Sequence, residues 1–141
     1  WFKAAAYAII LFNEAGVPCV FWGDLLGSPE SDDLPAVREL PVLMSIRARA
    51  AVGPQHNAFD DADVVGFARE GKDEIPGSGC AVILSDRMAA EKTLYVGTRH
   101  AGQEWECILG GHPSVRVADD GTLTGVVSDG GLSVYVPRRN A

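Results

Sequence analysis

Residues 16–24 read GVPCVFWGD, the stretch that decides the predicted fold. Within it, residues 18–22 (PCVFW) are a short, continuous apolar run between glycines, which is typical of a strand buried on both faces. The preceding residues 2–15 (FKAAAYAIILFNEA) predict a helix that is apolar almost all round and is covered by protein on both sides. Gly16 is a suitable stop for that helix.

A polar loop, residues 23–33, follows the predicted strand and carries the carboxylates Asp24, Glu30, Asp32 and Asp33. A second helical stretch opens at Pro35 and runs to about Ala51. The order helix, strand, loop, helix indicates an α/β unit. In a parallel barrel this loop lies on the active-site face, but the spacing does not place a catalytic pair. A solvated loop is the alternative for the carboxylates at 30–33.

After Gly53 the pattern becomes β-rich, with Gly and Asp turn signals between short runs. Seven strands are predicted, at residues 63–69, 80–84, 93–97, 104–109, 114–118, 122–127 and 132–136. This spacing predicts an antiparallel sandwich or barrel of about seven strands, and of the two we expect the sandwich, with Greek-key-like connections. The predicted domains are therefore residues 1–53 and residues 54–141.

Composition excludes several classes of protein. The net charge is -7, and the 12 basic residues are scattered, which argues against nucleic-acid binding. The apolar N-terminal stretch is interrupted by Asn13-Glu14, Gly16 and Pro18, so neither a signal peptide nor a membrane span is predicted. Because the chain opens with Trp1 and has no initiator Met, we expect it to be a piece of a longer protein.

Cysteine and histidine spacing predicts no site on its own. Cys19, Cys80 and Cys107 lack a CxxC pair and lie in apolar runs, which favours buried free thiols over a disulfide. His100 and His112 are predicted to be surface loop residues, since no HxH or HExxH motif is present.

The ordered text of the chain resembles the α-amylase family, glycoside hydrolase family 13, in its liquefying bacterial and related fungal members. Residues 16–24 resemble the motif of that family's eighth barrel strand, between regions similar to its seventh and eighth helices. The resemblance continues through the β-rich part, at residues 55–57, 59–60, 65–71, 78–79, 84–86, 95–97, 100–102 and 129–137.

The resemblance implies a fold and an activity. Residues 1–53 would be the end of a (β/α)8 barrel and residues 54–141 the C-terminal β-sandwich domain. The family hydrolyses internal α-1,4-glucosidic bonds of starch and glycogen with retention, using three carboxylates at the ends of strands four, five and seven. None of these maps onto this chain, whose Asp24 follows strand eight. The implied role of this part is structural, with an α-glucan as the substrate of the parent enzyme.

The resemblance also implies a calcium ion between barrel and β-domain. The matching positions are His56, through its carbonyl oxygen, Asn57 and Asp86. Asn57 stands where the family has a carboxylate, which weakens a site for a hard cation. We therefore expect calcium to be absent or weakly bound in this chain.

Two further expectations concern partners. Without the rest of the barrel, residues 1–53 are predicted either to self-associate or to pack onto the β-domain in a way that the intact enzyme would not show. The alternative function is a free-standing β-module that binds carbohydrate or a protein, with Trp105 and Tyr135 as candidate exposed aromatics. The family resemblance favours an extracellular location and leaves a cytoplasmic one open.

Overall fold

The structure, a computed structural model, describes residues 2–30 and 33–139. Three helices come first in the chain: α1 (Phe2–Phe12), α2 (Trp22–Leu26) and α3 (Leu40–Arg49). Eight strands follow: β1 (Gln55–Ala58), β2 (Val64–Arg69), β3 (Cys80–Ser85), β4 (Ala90–Tyr95), β5 (Glu104–Leu109), β6 (Val115–Arg116), β7 (Thr122–Val127) and β8 (Leu132–Pro137).

The strands form two antiparallel sheets. Six of them make one sheet in the order β1-β2-β3-β8-β5-β6, and β4 pairs with β7 as a separate two-stranded ribbon. Strand β8, which is the last in the chain, therefore lies inside the sheet between β3 and β5. A register shift between Cys107 and Leu109 interrupts the β5–β8 pairing, as a β-bulge does.

Both faces of the large sheet are covered, which gives the described chain three layers. Side chains alternate along a strand, so Cys80 and Val82 of β3 contact the helices while Ala81 and Ile83 contact the β4–β7 ribbon. As a result every residue of β3 is buried. The helices thus complete one hydrophobic core and the ribbon the other.

Helix α1 explains how residues 1–53 reach the sheet. Ala5, Ala8, Leu11 and Phe12 lie at helical spacing on one face and are buried in the core that also contains Val82 and Val134. The opposite face is not covered, because Ile9 and Ile10 are 41% and 42% exposed. The predicted helix is confirmed, but it is buried on one side only.

The predicted strand at residues 18–22 is wrong in this structure. Residues 17–21 have no regular structure, and Trp22 begins helix α2. Val17, Phe21 and Trp22 are 95%, 60% and 71% exposed. A buried parallel strand needs hydrogen-bonded neighbours on both edges, and the described residues give this segment none.

The other corrections are smaller. All seven predicted β runs contain a strand, and β4 starts three residues earlier than predicted. Strand β1 was not predicted, because its sequence, QHNA, is polar. It is an edge strand that pairs only with β2. The predicted loop 23–33 contains most of helix α2; its Glu30 and Asp33 are exposed, and Asp32 lies outside the described residues.

Residues 1–53 pack onto the β-rich part, since one core contains side chains from both. Of the three free cysteines, Cys80 is buried, Cys107 is intermediate and Cys19 is exposed, so the predicted burial of Cys19 is wrong. Burial raises the pKa of the Cys80 thiol to about 12. Among the described residues, no helix is both long and apolar enough to span a membrane.

Candidate functional site

Asp24 is the carboxylate that the structure surrounds with polar partners. Lys3 and Tyr7 lie four residues apart on α1 and so share a helix face. Lys3 Nζ lies 2.5 Å from Asp24 Oδ1, and Tyr7 Oη donates to Asp24 Oδ2 at 2.6 Å. The backbone N–H of Phe21 donates to Tyr7 Oη at 3.2 Å. This network ties the first helix to the segment that leads into α2.

The hydrogen bonds of this network shift the pKa values of Asp24 and Tyr7 in opposite directions. Hydrogen bonds from Lys3 and Tyr7 hold the pKa of Asp24 below its ordinary value of 3.8. The hydrogen bond to Asp24, together with burial, raises the pKa of Tyr7. Asp24 is therefore an ionised carboxylate whose two oxygens are both engaged, which suits it to holding two segments together.

We expect stability to depend on Asp24 in acid. Because its folded-state pKa is depressed, its contribution to stability is present above 3.8 and lost as the pH falls through the lower folded value. Asp24→Asn should lower the thermal midpoint at neutral pH and flatten its fall below about pH 4. Thermal unfolding followed by circular dichroism across that range measures both effects.

Asp119→Asn is the matched control, since Asp119 is an exposed loop carboxylate. It should leave both the midpoint and its pH dependence close to those of the unmodified chain. A pH dependence that is the same for Asp24→Asn and the unmodified chain would contradict the role of the network.

The predicted calcium residues lie on two separated strands. His56 and Asn57 are on β1, whereas Asp86 follows β3. Asn57 is in register with Phe67, and Phe67 with Val82, four residues before Asp86. At about 3.3 Å per residue along a strand and about 4.8 Å between strands, the backbones of Asn57 and Asp86 lie about 16 Å apart.

Each of these side chains has a protein partner. His56 Nε2 lies 2.9 Å from Glu70 Oε2, and the His56 ring packs edge-on against Tyr95 with ring centroids 4.8 Å apart. Asn57 Oδ1 accepts a hydrogen bond from Gln55 Nε2 at 2.8 Å. His56 and Asn57 thus have their side-chain partners within the β-rich part of the chain.

The backbone of Asp86 is hydrogen-bonded to that of Asp63, a residue that the sequence analysis did not select. The Asp86 N–H donates to the Asp63 carbonyl oxygen at 3.2 Å. Arg87 Nε lies 3.9 Å from a carboxylate oxygen of each aspartate. Across residues 2–30 and 33–139, no group of three His, Cys, Asp or Glu side chains is placed to hold a metal ion. On this chain alone, the described side chains do not fit a complete calcium site.

Comparison with known proteins identifies the family. No family model matches the chain. Over 141 residues, however, 99% of the chain, it is 39% identical to the α-amylase of Geobacillus stearothermophilus. This chain belongs to the α-amylase family. It is also 37% identical to the cytoplasmic α-amylase of Escherichia coli K12, with 96% of the chain covered.

Only part of each α-amylase is matched. The chain spans 26% of the Geobacillus stearothermophilus protein and 29% of the Escherichia coli protein. Among solved structures, an α-amylase from Malbranchea cinnamomea matches 95% of the chain with a TM-score of 0.70 at 15% identity. An Anoxybacillus α-amylase matches 98% with a TM-score of 0.68 at 16% identity. These structures show that the α-amylase fold is shared.

Within this α-amylase family member, two buried polar residues were missed by sequence reasoning. His100, predicted on the surface, is buried; its ring nitrogens lie 2.6 Å from the Glu70 carbonyl oxygen and 2.8 Å from Gln103 Oε1. Arg69 is also buried and donates to the carbonyl oxygens of Phe12 and Gly53, each at 2.9 Å. Arg69 thereby joins the end of α1 and the predicted domain boundary to the large sheet.

Proposed function

We propose that this chain is the C-terminal part of an enzyme that hydrolyses internal α-1,4-glucosidic bonds of starch or glycogen with retention. The observation that carries the proposal is the 39% identity to an α-amylase along 99% of the chain. The chain's own contribution is structural. It supplies no catalytic acid. In this proposal the α-glucan substrate binds chiefly to the remainder of the parent enzyme.

In this proposal residues 1–53 are the end of a (β/α)8 barrel and residues 54–141 are the β-sandwich domain. The exposed apolar side chains of residues 1–53 support it, because clustered exposed apolar side chains normally contact other protein, and Ile10, Phe21 and Trp22 line one apolar cavity. Those side chains are Phe2, Ile9, Ile10, Val17, Phe21, Trp22, Leu26, Leu34 and Met44. We propose that the N-terminal barrel segment of the parent covers them.

A second copy of the chain is the alternative occupant of this surface. An apolar cavity of about 430 Å³, lined by residues that include Tyr7, Ile10 and Trp22, opens on the same side of α1. Without the remaining barrel, this side should drive self-association through residues 1–53.

Calcium remains part of the proposal for the parent enzyme, with His56, Asn57 and Asp86 as its predicted ligands. Calcium takes six to eight oxygen ligands. Three predicted ligands are fewer than that, so we propose that the parent's barrel supplies the others. Asp63, whose carbonyl oxygen accepts the Asp86 N–H, is a further carboxylate close to Asp86.

The alternative, a free-standing carbohydrate-binding module, loses its main support. The aromatics considered for it, Trp105 and Tyr135, are both 0% exposed and belong to the core between sheet and ribbon. A stacking platform needs an exposed ring. A structural role within a larger hydrolase accounts better than a binding module does for the exposed apolar side chains of the helices.

The activity of the isolated chain tests the structural role. A purified chain should release no reducing ends from soluble starch, because retaining hydrolysis needs a nucleophile and a general acid on either side of the bond. The assay is run beside a mock purification that controls for host amylase. Turnover that follows the chain through purification would contradict the proposal.

A further inference from the structure

A polar groove of about 710 Å³ lies at one end of the large sheet, away from the apolar surface of the helices. Its wall contains Arg116, Arg138 and Arg139 together with Glu104 and Gln103. We name this feature the arginine groove. The chain as a whole is acidic, with a net charge of -7 and 12 basic residues. The groove, in contrast, is positively charged, because three guanidinium groups face one carboxylate.

Strand register brings these side chains together. Glu104 of β5 is directly paired with Arg116 of β6, so both side chains lie on the same face of the sheet. On the other side, the Arg138 N–H donates to the Glu104 carbonyl oxygen at 2.9 Å as β8 ends. Three neighbouring strands therefore present an Arg-Glu-Arg row, and Arg139 follows directly in the chain.

Glu104 holds one guanidinium without neutralising the groove. Arg138 NH1 donates to Glu104 Oε1 at 3.0 Å, and the Arg138 side chain is 55% exposed. A guanidinium has five N–H donors, so most of those on Arg138 remain available. The groove keeps a net charge of +2 from its three arginines and one glutamate.

We propose that the arginine groove binds a phosphate group, either as inorganic phosphate or as a phosphate monoester on a sugar. Guanidinium groups match the geometry of phosphate oxygens, and hydrogen bonds between charged groups are among the strongest in proteins. The volume of the groove leaves room for a sugar ring beside the phosphate. This inference does not depend on the function proposed above, since it uses only residues of this chain.

Calorimetric titration of the full chain with inorganic phosphate at constant ionic strength tests the proposal. We expect a dissociation constant on the order of 1 mM. Arg116→Gln should weaken binding about tenfold, because it removes a charged hydrogen-bond donor. Glu104→Gln should tighten binding by about threefold, because it removes the one carboxylate among the described residues that line the groove. These two variants change affinity in opposite directions, so a general loss of structure cannot mimic both.

Arg87→Gln is the matched control. The Arg87 side chain is 74% exposed and follows β3 at the opposite end of the sheet, so this variant removes the same charge elsewhere. Phosphate affinity should stay within about twofold of the unmodified chain. An equal loss in Arg87→Gln and Arg116→Gln would show that phosphate responds only to overall charge, and the proposal would fail.

Two further titrations, with glucose 6-phosphate and with unmodified glucose, separate the sources of phosphate. Tighter binding of glucose 6-phosphate than of inorganic phosphate would identify a sugar monoester as the ligand, whereas equal affinities would identify the free anion. Unmodified glucose should not bind in this groove. No measurable binding of either phosphate compound at about 10 mM, or glucose binding that Arg116→Gln weakens equally, would overturn the proposal.

Discussion

Gly53→Ala should destabilise the chain by about 4 kcal/mol or more, which is enough to unfold many domains. Gly53 has a φ of +81°, a left-handed conformation that costs an L-residue about 1–2 kcal/mol. An added β-carbon would also overlap the Gly71 carbonyl oxygen and lie 2.8 Å from the Gly71 nitrogen. Both neighbours are backbone atoms that cannot move aside as a flexible side chain can. Urea unfolding followed by tryptophan fluorescence measures the loss.

Gly77→Ala separates the two causes. Gly77 has a similar φ of +75°, but an added β-carbon there meets nothing within 4 Å. It should therefore lose only the conformational cost, about 1–2 kcal/mol. Equal destabilisation by the two substitutions would show that residues 53 and 71 are not in close contact, and that the junction between helices and sheet differs from the one described.

Phe12→Ala should cost about 3–5 kcal/mol and release the helices from the sheet. Phe12 is 0% exposed in the core shared by α1, α3 and the large sheet, and its carbonyl oxygen accepts a hydrogen bond from Arg69. Truncating the ring leaves a cavity at this junction. Limited proteolysis should then cut residues 1–53 faster than residues 54–139, in addition to the overall loss seen in urea.

Phe21→Ala is the control for Phe12→Ala. Phe21 is 60% exposed, so its truncation should change the free energy of unfolding by less than about 1 kcal/mol. If Phe12→Ala were no more harmful than Phe21→Ala, the helices would not be anchored to the sheet through α1.

The β-rich part was predicted well because seven of its eight strands carry local sequence signals; the polar strand β1 is the exception. Residues 80–84 show this, since their continuous apolar run becomes β3, which is buried on both faces. Residues 18–22 carry the same kind of run, yet they form no strand. The difference lies in neighbours: β3 pairs with β2 and β8, whereas residues 18–22 have no strand beside them among the described residues. Apolar pattern predicts burial only where the covering layers are present.

The polar residues that organise the structure were harder to predict, since their roles depend on distant contacts. Asp24 is held by Lys3 and Tyr7, from 21 and 17 residues away. Arg69 donates to Phe12, 57 residues away, and its position in a strand gives no sign of this. His100 lacks any motif, and its ring is buried against the Glu70 carbonyl oxygen, 30 residues away, and the Trp105 ring. Contacts between residues so far apart in the sequence cannot be inferred from the spacing of residue types along the chain.

Reconstitution of activity is the most direct measurement of the central claim, that this chain is a non-catalytic part of an α-amylase. The chain is co-expressed with the portion of the Geobacillus stearothermophilus α-amylase that it does not match, and starch hydrolysis is assayed for each part and for the pair. We predict no hydrolysis by either part alone and hydrolysis by the purified pair. Hydrolysis by this chain alone, or a stable complex of the two parts that remains inactive, would contradict the account.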